Sequence, residues 1–204
     1  MYIDLNQIHE IQNSWFQWRT NTNLLNKILM SFLMACFTGL MAQVTIQVPW
    51  SPVLITLQTF AVLIAGSLLG KWGGFSQLLY LVLGILGMPW FTNMQSGFNF
   101  ILGSSGGYIV GFIIAATFLG YLFDNYSNSR KPLNTVILMM IANFICIYIP
   151  GLLVLSNFIQ THTGVMPSIT NLIIMGVVPF IVGDFIKIAL SSSITIATLP
   201  KDNN

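Results

Sequence analysis

The sequence predicts an all-α membrane protein in which six transmembrane helices form one bundle. Two observations carry this prediction: 55% of the 204 residues are hydrophobic while only 6% are charged, and three long stretches contain no charged residue. A soluble domain carries about 25% charged residues, so this chain lacks the charge that would cover a water-facing surface. Apolar side chains suit a surface in contact with lipid instead.

The three charge-free stretches, residues 28–70, 72–123 and 132–183, determine the number of spans. One transmembrane helix needs about 20 residues, so each stretch is long enough for two helices and the loop between them. Prolines and glycines mark the breaks between the helices. The spans are therefore placed at about 28–47, 56–70, 74–89, 104–123, 133–155 and 179–198.

The positive charges predict the orientation. In this arrangement six lysines and arginines fall on one side of the membrane, whereas the opposite loops, 48–55, 90–103 and 156–178, contain none. By the positive-inside rule, both termini are cytoplasmic and the chain is a multi-pass protein of the cell membrane. The six cations are Arg19, Lys27, Lys71, Arg130, Lys131 and Lys201.

The chain divides into three predicted parts: a cytoplasmic or interfacial segment (1–27), a six-helix substrate-binding domain (28–199) and a cytoplasmic tail (200–204). Within the first part, Trp15, Phe16 and Trp18 stand beside Arg19. This pattern predicts an interfacial anchor with the aromatic rings at headgroup level and the cation on the aqueous side.

Two outer loops have an unusual composition. Residues 90–110 read WFTNMQSGFNFILGSSGGYIV, and residues 48–58 read VPWSPVLITLQ. Backbone outside a helix is tolerated at membrane depth only where protein or a water-filled cavity satisfies its amides. We expect the first segment to pack against a ligand or a neighbouring helix and the second to act as a lid; the alternative is that both simply pack on the bundle.

Asp184 and Lys187 are the two charged residues inside the sixth predicted span. Each costs roughly 2.5–3.5 kcal/mol at a helix centre, and their spacing of three places them on one helical face. Pro179 and Gly183 place the pair near a helix start, where the backbone adds partial positive charge. We expect Lys187 to hold a ligand carboxylate and Asp184 to accept ligand N–H groups; the alternative is a structural ion pair.

Three other features of the sequence bear on its function. Cys36 and Cys146 are distant and lie in apolar runs, so they predict buried thiols and no metal site. The weak net charge of +2 excludes a nucleic-acid surface. Ala35, Gly39 and Ala42 place small residues along the first span; this face either docks a partner membrane protein or packs inside the bundle.

Four segments of the chain together resemble a known family. They are ITLQTFAVLIAGSLLG at 55–70, LLYLVLGILGMPWF at 78–91, GSSGGYIVGF at 103–112 and PFIVGDFIKIAL at 179–190. In this order and spacing they resemble the BioY family, the biotin-specific substrate-binding subunits (S components) of energy-coupling-factor (ECF) transporters. The resemblance implies an S-component-like six-helix bundle that captures biotin from outside without a cofactor. It also implies a transmembrane coupling subunit and two cytoplasmic ATPase subunits as partners.

The resemblance also implies site residues. Asp184 and Lys187 match the family's ligand-binding aspartate and lysine, and Asn93 resembles a loop asparagine that meets the ureido ring. Gln58 and Tyr108 fall at motif positions that line the site, and Tyr148 in the fifth helix is a further candidate. The chain departs from the family pattern at Ser104-Ser105, at Met94-Gln95-Ser96, and beside Lys71, where a basic pair is common.

Three alternatives remain beside biotin capture. The first is the same kind of subunit for another vitamin; thiamine is cationic and would be repelled by Lys187. The second is an intramembrane serine protease, since GSSG at 103–106 matches its Gly-x-Ser-Gly pattern with Ser105 as nucleophile. A serine nucleophile needs a histidine within hydrogen-bond reach, and His162 falls in a predicted outer loop. The third is a scaffold protein without a ligand.

Overall fold

The computed structural model describes residues 5–201, apart from the side chains of residues 5, 6 and 8. Residues 1–4 of the predicted N-terminal segment and residues 202–204 of the predicted tail lie outside this range. The helices within it are α1 (Leu5–Asn21), α2 (Leu24–Ala42), α3 (Gln58–Leu69), α4 (Lys71–Ile85), α5 (Phe98–Ile101), α6 (Gly106–Asn125), α7 (Pro132–Ile141), α8 (Tyr148–Thr163), α9 (Ile169–Gly176) and α10 (Ile181–Thr198). Two short strands, β1 (Thr45–Ile46) and β2 (Ile55–Thr56), pair antiparallel.

The predicted all-α membrane fold is confirmed. Within residues 5–201, four helical segments are long and apolar enough to cross a membrane: α2, α6, α10 and the continuous rod Pro132–Thr163. The second and third predicted spans correspond to α3 and α4, which contain 12 and 15 residues. The predicted count of six therefore consists of four full-length spans and two shorter helices.

A single residue, Gly70, separates α3 from α4. Its φ of 60° lies in the left-handed region, which glycine adopts without steric cost. A Cβ atom placed on Gly70 would lie 2.2 Å from Oδ2 of Asp124 at the end of α6. Gly70 therefore provides both the sharp change of direction and the room for Asp124.

A π-helical segment, Ala142–Ile147, connects α7 to α8, so that the three form one continuous rod, Pro132–Thr163. It packs against α6, the most buried of the four long spans. Such wide turns concentrate at functional sites because they shift the helical phase and re-aim side chains. α8 continues to Thr163, where Gly164 ends it in the left-handed conformation. The predicted outer loop 156–178 thus contains the end of α8 and the whole of α9.

Helix α1 lies against the end of the bundle where α3, α6 and α10 terminate. Gln12 donates from Nε2 to the carbonyl oxygens of Ile196 and Ala197 in the last turn of α10. Trp18 is exposed, in keeping with an interfacial ring. α1 therefore ties the end of α10 to the rest of the bundle.

Arg19 corrects one part of the predicted anchor, because its guanidinium is not on the aqueous side. The residue is only 6% exposed, and Nη2 forms an ion pair of 2.7 Å with Oδ1 of Asp124. Nη1 donates to the carbonyl oxygens of Ser67 and Leu68 at the end of α3. Burial lowers the pKa of Arg19 to about 10, against the opposing effect of Asp124.

The small residues of α2 face the interior of the bundle. Ala35 and Ala42 are fully buried, and a Cβ atom on Gly39 would lie 2.9 Å from Cβ of Trp90. α2 packs against α3 and α4. The burial of these small residues matches packing inside the bundle. It does not match the docking of a partner membrane protein on them, because other helices of the chain already cover them.

Candidate ligand-binding site

A cavity lies among the first turns of α3, α6, α8 and α10, beneath the β1–β2 hairpin. Its volume is about 40 Å³. Ligand pockets in proteins range over about 300–1,000 Å³ and are mostly apolar with a few placed polar groups. The cavity has this composition but is far smaller than this range, so a ligand of ordinary size requires it to widen.

Asp184 and Lys187 both line this cavity. Asp184 lies in the first turn of α10, and the two side chains form an ion pair of 2.7 Å between Nζ and Oδ1. They are 1% and 5% exposed, respectively. Nζ of Lys187 also donates to Oγ1 of Thr59 at 2.9 Å. The predicted proximity and burial of the pair are therefore present in the structure.

Two further donors hold the carboxylate of Asp184. Asn143 donates from Nδ2 to Oδ2 at 2.7 Å, and the Tyr148 hydroxyl donates to the same oxygen at 2.5 Å. An ionised carboxylate offers about four lone-pair sites, and Lys187, Asn143 and Tyr148 occupy three of them. One acceptor position on Oδ1 is left for a ligand.

Gln58 and Tyr108 line the cavity from the first turns of α3 and α6. Gln58 donates from Nε2 to the hydroxyl of Tyr80 at 2.8 Å and accepts from Oγ1 of Thr56. Tyr108 donates its hydroxyl to the carbonyl oxygen of Gly176 at 2.8 Å. These bonds fix both side chains, and the second connects α6 to the end of α9.

The hairpin segment 45–56 covers the cavity. Val53, Leu54 and Thr56 contribute to its lining. The hydroxyl of Ser51 donates to the carbonyl oxygen of Met175 at 2.7 Å, and the hydroxyl of Ser104 donates to that of Pro52 at 2.8 Å. The segment is thus held over the cavity by a few polar contacts at its tip, an arrangement that suits a lid.

Asn93 lies outside the cavity. It is exposed in a one-turn 3₁₀ helix, Thr92–Met94, with a φ of 58° in the left-handed region. Its neighbour Thr92 is buried and lines the cavity. The contact of Asn93 with a ligand therefore stays a prediction that requires this loop to move.

Asn143 is a residue that sequence analysis missed. It is 1% exposed and touches Asp184 directly. An amide within an apolar span was the available signal, because a polar side chain at membrane depth needs a partner. Thr59 in α3 and Thr92 in the 3₁₀ turn were missed as well, because a threonine in an apolar helix or in a polar loop gives no comparable signal.

The protease alternative does not match the arrangement of its residues. Ser105 lines the cavity, but His162 lies on the exposed last turn of α8, where Nδ1 contacts the carbonyl oxygen of Phe158. The described residues also hold no group of three or more metal-ligating side chains. The chemistry that this site offers is binding: a cation and a helix start for an anion, and a carboxylate oxygen for an N–H group.

Comparison with known proteins places this geometry in context. Residues 12–201 match the model of the BioY family. A probable biotin transporter BioY of Methanothermobacter thermautotrophicus is 45% identical over 68% of this chain and 88% of its own. The biotin transporter BioY of Thermotoga maritima is 31% identical over 74% of this chain and 83% of its own. A crystal structure of the S-component for biotin from an ECF-type ABC transporter superposes with a TM-score of 0.76, at 27% identity, over 90% of this chain and 95% of that one.

Proposed function

The chain belongs to the BioY family, and from this premise we propose that it takes up biotin as the S component of an ECF transporter. One observation of its own structure carries the proposal. A buried aspartate–lysine pair, held by two further donors, lines a mostly apolar cavity beneath the β1–β2 hairpin. The relatives are transporters by name, and the site supports binding instead of catalysis.

The polar groups of biotin match the hydrogen-bonding positions that Lys187 and Asp184 leave free. Nζ of Lys187 carries three protons, and Asp184 and Thr59 accept two of them, so one remains for the biotin carboxylate. The free position on Oδ1 of Asp184 suits a ureido N–H group. The apolar lining suits the valeryl chain and the thioether, and Asn93 meets the ureido ring when its loop moves inward.

These free positions match biotin in kind, but Nζ of Lys187 and Oδ1 of Asp184 are 2.7 Å apart, whereas the valeryl chain of extended biotin separates the carboxylate from the ring, so one of the two side chains has to move. Asp184 is fixed by Asn143 and Tyr148, whereas the stem of Lys187 is flexible. Lys187 also lines a neighbouring apolar cavity between α2, α3 and α10. Biotin binding therefore moves Nζ toward that side, and a ureido N–H group replaces it on Asp184.

The transport assembly belongs to the same proposal. The cations cluster at the end of the bundle opposite the ligand cavity, where Arg19 and Arg130 both hydrogen-bond to Asp124. By the positive-inside rule this end is cytoplasmic, together with both termini. Biotin then enters from outside, and a transmembrane coupling subunit with two cytoplasmic ATPases supplies the energy.

Calorimetric titration of the detergent-purified chain with biotin tests the proposal directly. We expect saturable binding at one site, and no binding of thiamine, whose positive charge Lys187 repels. A flat biotin trace at micromolar concentrations would contradict biotin capture and favour a scaffold. Uptake of labelled biotin by cells with and without a coupling module then tests the assembly separately.

A further inference from the structure

A second cavity lies at the opposite end of the bundle, between the end of α1 and the starts of α2 and α4. Its volume is about 250 Å³. Arg19, Lys27, Lys71 and Asp124 all line it. It is separate from the biotin site and takes no part in the proposed binding of biotin.

The charges around this basic cavity do not cancel. Asp124 pairs with Arg19, while Lys27 and Lys71 form no ion pair within residues 5–201. Nζ of Lys27 donates to the carbonyl oxygen of Thr20 at 2.7 Å, which carries no net charge. Three cations against one carboxylate leave an excess of two positive charges in the lining.

Two residues of the lining also have unused donors. Arg19 is 94% buried, from its exposure of 6%, and its Nε atom has no hydrogen-bond partner among the described residues. The same holds for the buried Nε1 atom of Trp72. Buried donors without a partner are rare and costly, and an unseen ion is one of their ordinary explanations. An anion in the cavity would offset the charge excess, and both donors belong to residues that line it.

The position of the basic cavity identifies the kind of anion. Helices α3 and α6 begin at the biotin cavity and end at the basic one. The 20 residues of α6 span about 30 Å at 1.5 Å per residue, which is about the thickness of the hydrocarbon core. The basic cavity therefore lies at headgroup level on the other face of the membrane, beside the half-exposed ring of Tyr121.

We propose that the basic cavity binds the phosphate group of an acidic phospholipid. A phosphate offers several acceptor oxygens and a negative charge, which match the side-chain ammonium groups of Lys27 and Lys71. The N-terminus of α4 adds partial positive charge, although the backbone N–H of Lys71 already donates to Oδ2 of Asp124. Basic pockets between membrane helices are suited to lipid headgroups for these reasons.

Native mass spectrometry of the full chain tests this with phosphatidylglycerol and phosphatidylcholine as probes. The test variant, Lys27→Gln/Lys71→Gln, removes two positive charges from the cavity. The control variant, Lys131→Gln/Lys201→Gln, removes two positive charges from exposed lysines at the same end of the bundle, next to Arg130 and Pro200. We expect the first double variant to bind phosphatidylglycerol roughly 30-fold more weakly, and the second to bind it like the wild type. Neither should change phosphatidylcholine or biotin binding.

Three outcomes decide the question. Equal losses of phosphatidylglycerol binding in the two double variants would overturn the proposal, because they would show a diffuse surface potential. Displacement of the lipid by millimolar inorganic phosphate would support the phosphate site and assign it to a soluble anion. Unchanged lipid binding together with a loss of assembly with the coupling subunits in Lys27→Gln/Lys71→Gln would overturn it in favour of protein docking. A failure of biotin binding would affect only the proposed function.

Discussion

Asn143 donates a hydrogen bond of 2.7 Å to Oδ2 of Asp184 between the π-helical segment and α10. The two residues are 41 positions apart, and both are 1% exposed. The wide turn at Ala142–Ile147 brings the amide to this face while Tyr148, the next residue after it, reaches the same oxygen. Asn143 and Tyr148 thereby fix the carboxylate of Asp184 from one side, and Lys187 contacts it from the other.

We expect Asn143→Ala to weaken biotin binding by about 10-fold or more, because a hydrogen bond to a charged group contributes about 1.5–3 kcal/mol. Calorimetric titration measures the change. Asn134→Ala is a matched control, since Asn134 is exposed in α7 and bonds only to the carbonyl oxygen of Asn128. Equal affinities of the wild type and Asn143→Ala would show that Asp184 does not depend on this amide.

Lys187→Gln tests the carboxylate contact. Losing one partner of a buried charged interaction costs about 2–5 kcal/mol, so we expect biotin affinity to fall by at least about 30-fold while the protein still inserts and purifies. Biotinamide replaces the carboxylate of biotin with a neutral amide, and it should lose less affinity in Lys187→Gln than biotin does. A loss of equal size for both ligands would place the carboxylate away from Lys187.

Individual residues show which features of the structure the sequence predicts and which it does not. The charge-free stretches predict the spans because charge is costly in lipid, and the same cost singles out Asp184 and Lys187. The π-helical segment Ala142–Ile147 shifts the phase of the helix, and no residue pattern predicts this shift. Regular α-helical spacing therefore does not place Asn143 beside Asp184, and Asn143 was missed. Arg19 was misplaced because its partner, Asp124, is 105 residues away, and a helix-terminal arginine beside tryptophans has the pattern of an anchor.

Asn93→Gly tests whether the loop Thr92–Met94 closes on the ligand. Glycine accepts the left-handed conformation of Asn93 without strain, so the substitution removes only the side chain. We expect biotin affinity to fall by about 5- to 10-fold, the value of a neutral hydrogen bond of about 1 kcal/mol or slightly more. The adjacent exposed residue provides a control, Met94→Gly, which also has a positive φ and has no predicted ligand contact. Unchanged binding in Asn93→Gly would leave Asn93 outside the site in the bound state too.

The ion pair of Arg19 and Asp124 should stabilise the fold without affecting the ligand. Arg19→Gln removes the guanidinium from Oδ1 of Asp124 and from the carbonyl oxygens of Ser67 and Leu68, while the backbone N–H of Lys71 still donates to Oδ2. Breaking a buried pair costs about 3–5 kcal/mol. Because the Asp124 side chain is 21% exposed, we expect the lower end of this range, measured as a decrease in the thermal unfolding temperature in detergent.

A double-mutant cycle separates this pair from general damage to α1. Asp124→Asn should destabilise the protein as well, since it leaves the Arg19 guanidinium buried without its counter-charge. The double variant Arg19→Gln/Asp124→Asn should lose less stability than the sum of the two single variants, because the second substitution removes a charge that the first left unpaired. Strict additivity would show that the two side chains contribute independently. In each variant that remains folded, biotin affinity should equal that of the wild type, since Asp124 lies near the end of α6 opposite the biotin cavity.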